Sequence, residues 1–172
     1  MKKLLTFLII ILLTIPSFSQ EAVKDISGAS TYYFIRHAEK NISDKDDIDP
    51  PLVIDGILRA AKWSLVFDNI KFDAIYSTDF LRTKETAQPT AEKNNIDITL
   101  YDPTNIDTKA FLESTKGQTV LIVGHSNTTP MFVNAIIGEE KYEQIEETIN
   151  GNLYIVTISK SGDINDTLLS ID

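Results

Sequence analysis

The sequence contains no cysteine. That removes disulfide frameworks, thiolate metal sites and a lipid anchor on an N-terminal Cys. Histidine is almost as scarce, with only His37 and His125 among 172 residues. No His-x-x-x-His or similar ligand spacing exists. Basic residues are outnumbered, 16 Lys and Arg against 25 Asp and Glu, for a net charge of −9. So acidic a chain lacks the basic face that nucleic acid or anionic lipid would require. Internal repeats, low-complexity tracts and a second domain are absent too. A single long apolar run occurs, at residues 4–15. It is too short for a hydrocarbon core that needs roughly 20 residues.

The apolar run follows Lys2 and Lys3 and is closed by Ser17-Phe18-Ser19. This is the three-part pattern of a secretory signal peptide over residues 1–19, with cleavage expected before Gln20. The competing reading, an uncleaved membrane anchor, is disfavoured by length, so no stable membrane insertion is expected after cleavage. Removing residues 1–19 takes away two lysines and no acid, which brings the net charge to −11. The remaining residues suit one domain with one core. Residues 20–30 read as a flexible lead-in and 31–172 as the domain. Three sequons begin at Asn41, Asn127 and Asn165, two of them beside the candidate site. A glycan there would block it, which favours a bacterial periplasm or exterior.

Residues 32–35 form an aromatic and β-branched run that reads as a buried strand. The Asp-dense stretch 41–51 closes on Pro50-Pro51 and reads as a loop. Ile54, Ile57, Leu58, Ala61 and Leu65 recur at helical spacing and predict a helix over 52–67. A strand is predicted at 72–76. Ser77-Thr78-Asp79 offers N-cap chemistry for a helix over 80–93. A short strand at 96–101, a helix at 107–116 and a buried strand at 119–123 follow. Residues 128–137 read as a helix with Pro130 in its first turn. A strand at 153–159 and an edge strand at 164–171 complete the chain. Strands alternating with helices imply an α/β sandwich with a mostly parallel central sheet.

Both histidines directly follow predicted buried strands. In open α/β sheets, ligands bind outside the carboxyl ends of the strands. Arg36 belongs to that edge, and Arg82, one turn into the helix after the second strand, can reach it. Guanidinium forks match phosphate oxygens. Their charge favours the neutral form of a nearby imidazole, which is then a nucleophile toward phosphorus. The other imidazole and the arginines can stabilise the transferring oxygens. A zinc site built from both histidines with Asp49 or Asp102 is the competing chemistry, and two adjacent arginines would repel the dication. The bland alternative, two structural histidines, does not account for both standing at strand ends.

Arg36-His37-Ala38-Glu39 after a strand resembles the Arg-His-Gly/Ala signature of the histidine phosphatase superfamily. Residues 76–87, with Ser77, Thr78, Arg82, Thr86 and Ala87, resemble that family's Ser-Ser-x-x-x-Arg-(x)3-Thr-Ala segment. Val123-Gly124-His125-Ser126-Asn127 resembles its second-histidine motif. The three motifs occur in the family's order and span most of the domain. The resemblance implies a phosphoglycerate mutase-like three-layer α/β/α sandwich. It implies that His37 is phosphorylated in the intermediate, and that Arg36, Arg82 and His125 complete the phosphate pocket, with Asn127 and Lys40 at its rim. No cofactor and no metal are implied. The mutase branch carries a long insertion between the counterparts of Arg82 and His125, which this chain lacks. The acid-phosphatase branch has Asp after its second His, where Ser126 stands here. For the missing proton donor, Asp102 is the first candidate and Glu39 the second. Asp46, Asp47 and Asp49 read as loop solvation, or as a rim that repels highly anionic substrates. The compact, SixA-like branch is the nearest match. The expected partner is a small phosphomonoester, or a phosphorylated side chain such as a phosphoramidate. A non-catalytic phosphate-binding module and a mutase remain the rival functions.

Overall fold

The computed structural model describes residues 28–171. The signal peptide assignment and the lead-in up to residue 27 lie outside the described residues. Ten elements follow one another: β1 (Ser30–Arg36), α1 (Ile54–Val66), β2 (Ala74–Ser77), α2 (Leu81–Asn94), β3 (Ile98–Leu100), α3 (Thr108–Ser114), β4 (Thr119–Gly124), α4 (Thr128–Ile137), β5 (Asn152–Ile158) and β6 (Ile164–Ser170). The six strands form one sheet in the order β3-β2-β4-β1-β5-β6. Four neighbours, β3, β2, β4 and β1, run parallel. β5 and β6 add an antiparallel hairpin at one edge.

Each sheet face is apolar and covered by a helix pair, because parallel strands need crossovers on both sides. On one face Tyr32, Phe34, Val120 and Ile122 pack with Phe111 of α3 and with Phe132, Val133 and Ile136 of α4. On the other, Ile35, Ile75, Leu121 and Val123 pack with Trp63 and Phe67 at α1 and with Ala87 and Ala91 of α2. The result is the expected three-layer α/β/α sandwich. Among the described residues no helix is long and apolar enough to cross a membrane.

Helix α1 is where sequence periodicity misleads. Ile54, Ile57, Leu58 and Leu65, the apolar stripe that marks the helix, are 57–76% exposed. The buried face is instead Gly56, Ala60 and Trp63. Close approach decides this. A Cβ on Gly56 would stand 2.2 Å from the Glu39 carbonyl oxygen, so only the glycine lets α1 press against the segment after β1. That segment is pinned from two sides, by Val53 N–H to the Glu39 carbonyl at 2.9 Å and by Ala38 N–H to the Thr86 hydroxyl at 2.9 Å.

The cap of α2 also departs from expectation. Ser77, Thr78 and Asp79 do not cap it, and Phe80 occupies the N-cap position without a side-chain bond. The Leu81 N–H is met by the Asp49 carboxylate at 2.8 Å, reaching over from the loop before α1. That loop is a series of Asx turns, in which Asn41, Asp44 and Asp47 each accept the N–H two residues on. Asp46 and Asp47 therefore sit in an exposed folded loop, and Asp49 is its delivered group.

Candidate active site

Strands β1, β2 and β4 end at one edge of the sheet. Arg36 is level with Gly124, and Ser77 with Val123. The His37 N–H continues the ladder one step to the Gly124 carbonyl at 2.9 Å. Both histidines thus leave neighbouring parallel strands at the same height, and their rings lie 5.5 Å apart in an edge-to-face arrangement. Gly124 permits the turn into α4, since a Cβ there would meet the Thr129 hydroxyl at 2.8 Å.

His37 is 3% exposed. Its Nδ1 lies 2.7 Å from the Ala38 carbonyl, which can only accept, so Nδ1 carries the proton and Nε2 keeps its lone pair. Burial lowers its pKa to about 3; the Ala38 bond opposes this, while Arg36, His125 and Arg82 reinforce it. Burial, then Arg82, Lys40 and Arg36, bring His125 to about 4, against a small opposing pull from Asp49. Both imidazoles are therefore neutral near pH 7. His125 Nε2 meets the Thr78 hydroxyl at 2.9 Å. That hydroxyl donates to Thr83, whose own hydroxyl donates to backbone carbonyls of Thr78 and Phe80. With its single proton so directed, Thr78 accepts from His125, which sets Nε2 as the protonated nitrogen.

The two arginines are held differently. Arg36 is buried, and its Nη1 donates to the carbonyls of Glu146, Glu147 and Ile149 at 3.0–3.1 Å. Its Nη2 pairs with the Glu147 carboxylate at 2.7 Å, and Nε has no partner. Arg82 lies over the Phe80 ring, with its Cζ 4.3 Å from the centroid. Phe80 in turn stands edge-on to His125 at 5.0 Å. Asp49 approaches Arg82 Nη1 at 3.5 Å without hydrogen-bond geometry, and the buried Nε and Nη1 donate to nothing. Buried donors without partners are rare, and on a guanidinium beside two neutral imidazoles they describe an open seat for an oxyanion.

A groove of about 350 Å³ opens onto His37, lined by Arg36, Glu39, Lys40, Ile42, Glu147, Thr148 and Asn150. Two larger hollows, about 550 Å³ each, lie elsewhere and contain no histidine or arginine. Of the expected rim, Lys40 lines the groove, whereas Asn127 is exposed at the start of α4 and caps nothing with its side chain. The proton-donor candidates are placed unequally. Asp102 does not line the groove. Its exposed carboxylate closes a turn on the N–H and hydroxyl of Thr104, which keep it below the usual carboxylate range. Glu39 lines the groove, with Oε1 bound to Arg59 at 2.7 Å and Oε2 buried without a hydrogen-bond partner.

Glu147 is the charged group that sequence reasoning missed. It comes from the irregular stretch between α4 and β5, which the Ile145 N–H fastens to the Ser126 carbonyl at 2.9 Å. Its Oε1 accepts from the Ser126 hydroxyl at 3.0 Å. Burial alone would raise its pKa, but Ser126, Arg36 and Lys40 outweigh that and leave it lowered. Phe80 and Thr78 were likewise missed as partners of Arg82 and His125, although both stand inside the quoted motif. Among the described residues, no group of three or more His, Cys, Asp or Glu could hold a metal ion.

The family model for the histidine phosphatase superfamily (branch 1) matches residues 32–103, the stretch that supplies Arg36, His37 and Arg82. Over that stretch, under half of its length, the chain is similar to that superfamily. No curated protein matches the sequence. Solved structures share the fold over most of their length. A protein histidine phosphatase, SixA, complexed with tungstate is 15% identical with a TM-score of 0.63, covering 81% of this chain and 96% of its own. A mycobacterial glucosyl-3-phosphoglycerate phosphatase is 12% identical with a TM-score of 0.66, covering 83% and 98%. A phosphoserine phosphatase from Entamoeba histolytica in complex with 3-phosphoglyceric acid is 16% identical with a TM-score of 0.60, covering 83% and 98%. At these identities the likeness is one of fold.

Proposed function

We propose that the protein is a metal-independent phosphatase that hydrolyses phosphomonoesters or phosphoramidates through a phosphohistidine on His37. The observation that supports it most is the state of the site itself. A buried, neutral imidazole offers Nε2, while the adjacent Arg82 holds two buried N–H groups with nothing to bind. The phosphoryl group would sit on Arg82 and on the free edge of Arg36, in line with His37 Nε2. Nitrogen attacks phosphorus, the P–O or P–N bond of the substrate breaks, and water later breaks the P–N bond to His37. His125 supplies its Nε2–H to the phosphoryl oxygens if it exchanges Thr78 for the substrate. Lys40 belongs to the rim in this reading, and Asn127 stands outside the groove at the start of α4.

Between Arg82 and His125 the chain is used by α2, β3, α3 and β4, so no inserted lid covers the groove. An open site exposes the phosphoenzyme to water, which favours a hydrolase over a mutase. The compact architecture shared with SixA fits small esters as well as a side chain presented by another protein. We place the enzyme in the periplasm or outside the cell, on the strength of the N-terminal pattern. There, small phosphate esters are the more accessible substrates.

The test is labelling. The protein incubated with a 32P-labelled phosphomonoester should acquire acid-labile, base-stable label on His37 and release inorganic phosphate. The His37→Ala protein should do neither, and chelators should leave turnover unchanged. Phosphate release by His37→Ala at the parent rate rules the covalent route out, and binding without label or release identifies a binding module.

A further inference from the structure

We propose that Glu147, steadied by the Ser126 hydroxyl, is the catalytic acid that protonates the leaving group and then the base that activates water. The proposal rests on the phosphatase reading above. In the acid-phosphatase branch an Asp follows the second histidine, and this chain has Ser126 there instead. In the folded protein that serine is not an empty substitution. Its hydroxyl holds the Glu147 carboxylate at 3.0 Å, so a residue 21 positions away brings an acid to the same corner of the site. Glu147 also lines the groove that opens onto His37, and its other oxygen lies 2.7 Å from Arg36 Nη2. The carboxylate therefore borders both the phosphate seat and the space where a leaving group must lie.

The alternatives are less well placed. Asp102 closes a turn outside the groove. Glu39 is bound to Arg59, and its side chain is less exposed than that of Glu147, 30% against 64%. Exposure lets Glu147 exchange its proton with water between the two half-reactions. Substrate supplies the protonation. A phosphoryl dianion that settles on Arg36 competes for the guanidinium and sets a like charge beside the carboxylate, which favours its acid form. In the first half-reaction the His37 Nε2–P bond forms, the P–O bond of the ester breaks, and the Glu147 proton passes to the leaving oxygen. In the second, a water oxygen bonds to phosphorus, the N–P bond breaks, and the water proton returns to Glu147.

The test compares leaving groups. A nitrophenolate departs without help, while an alkoxide needs a proton. In kcat/KM, which reports the step up to formation of phosphohistidine, Glu147→Gln should lose about 100-fold or more on glycerol phosphate and only a few-fold on p-nitrophenyl phosphate. Ser126→Ala keeps the Glu147–Arg36 pair and should show the same selective loss on a smaller scale. Inorganic phosphate should inhibit Glu147→Gln as well as the parent or better, because a competitor for Arg36 is gone; weaker inhibition would mean a damaged phosphate seat and overturn the assignment. Equal losses on both esters in both variants, or a selective loss in Glu39→Gln instead, would also overturn it. If the parent hydrolyses neither ester, nor a phosphoramidate, the phosphatase reading falls; if it hydrolyses both esters and the variants do not discriminate, only the role of Glu147 falls.

Discussion

Asp49 does two things for Arg82: its carboxylate caps the helix one residue before it, at Leu81 N–H, and stands 3.5 Å from its guanidinium. The two roles can be separated. Asp49→Asn keeps an acceptor for the N–H and removes the charge, so stability should hold and inorganic phosphate should bind more tightly. Asp49→Ala loses the cap and should cost about 1 kcal/mol of unfolding free energy. Chemical denaturation alongside phosphate inhibition checks both.

The histidines make stability pH-dependent. Both have folded pKa values, about 3 and about 4, below the unfolded value of 6.5. Between these limits the unfolded chain binds more protons, so stability is full above pH 6.5 and declines as pH falls toward 4. Each unit of depression corresponds to about 1.4 kcal/mol. Thermal unfolding from pH 7.5 to 4.5 should show a falling Tm, and His37→Asn combined with His125→Asn should flatten that fall.

Arg36 is a structural clamp as well as an anion ligand, because one nitrogen gathers three carbonyls of the stretch that carries Glu147. Lysine has no planar fork to reproduce this. Arg36→Lys should lower stability by about 1–3 kcal/mol, as three part-buried carbonyls lose their donor. It should also lower kcat/KM on p-nitrophenyl phosphate by more than tenfold. A variant with parental unfolding midpoint would refute the clamp.

Helix α1 offers a contrast between its two faces. Trp63→Ala should cost about 3–5 kcal/mol, since the ring is buried against the sheet and stacked on Phe67 at 5.6 Å. Ile57→Lys and Leu65→Lys should each stay within about 0.5 kcal/mol, being on the exposed stripe. Gly56→Ala should be destabilising although it improves helix propensity, because the added methyl meets the Glu39 carbonyl. Urea unfolding of the four variants tests the orientation of the helix.

The order of elements, the α/β class and the strand-end positions of Arg36, His37 and His125 were determined by the sequence alone. They rest on local patterns: buried apolar runs for strands, 3.6-residue periodicity for helices, and polar residues where a strand stops. Arg82 was legible from its place one turn into the helix after the second strand, and the motif spacing of the resemblance singled it out again. Tertiary structure decided the rest. It chose the small face of α1 over its apolar stripe through a single close approach at Gly56. It gave the α2 cap to Asp49 rather than to Ser77, Thr78 or Asp79. It brought Glu147 to Arg36, 111 residues away along the chain. Such partners leave no periodic trace in a sequence, because the energy that selects them arises only after the sheet has set the separation between its strand ends.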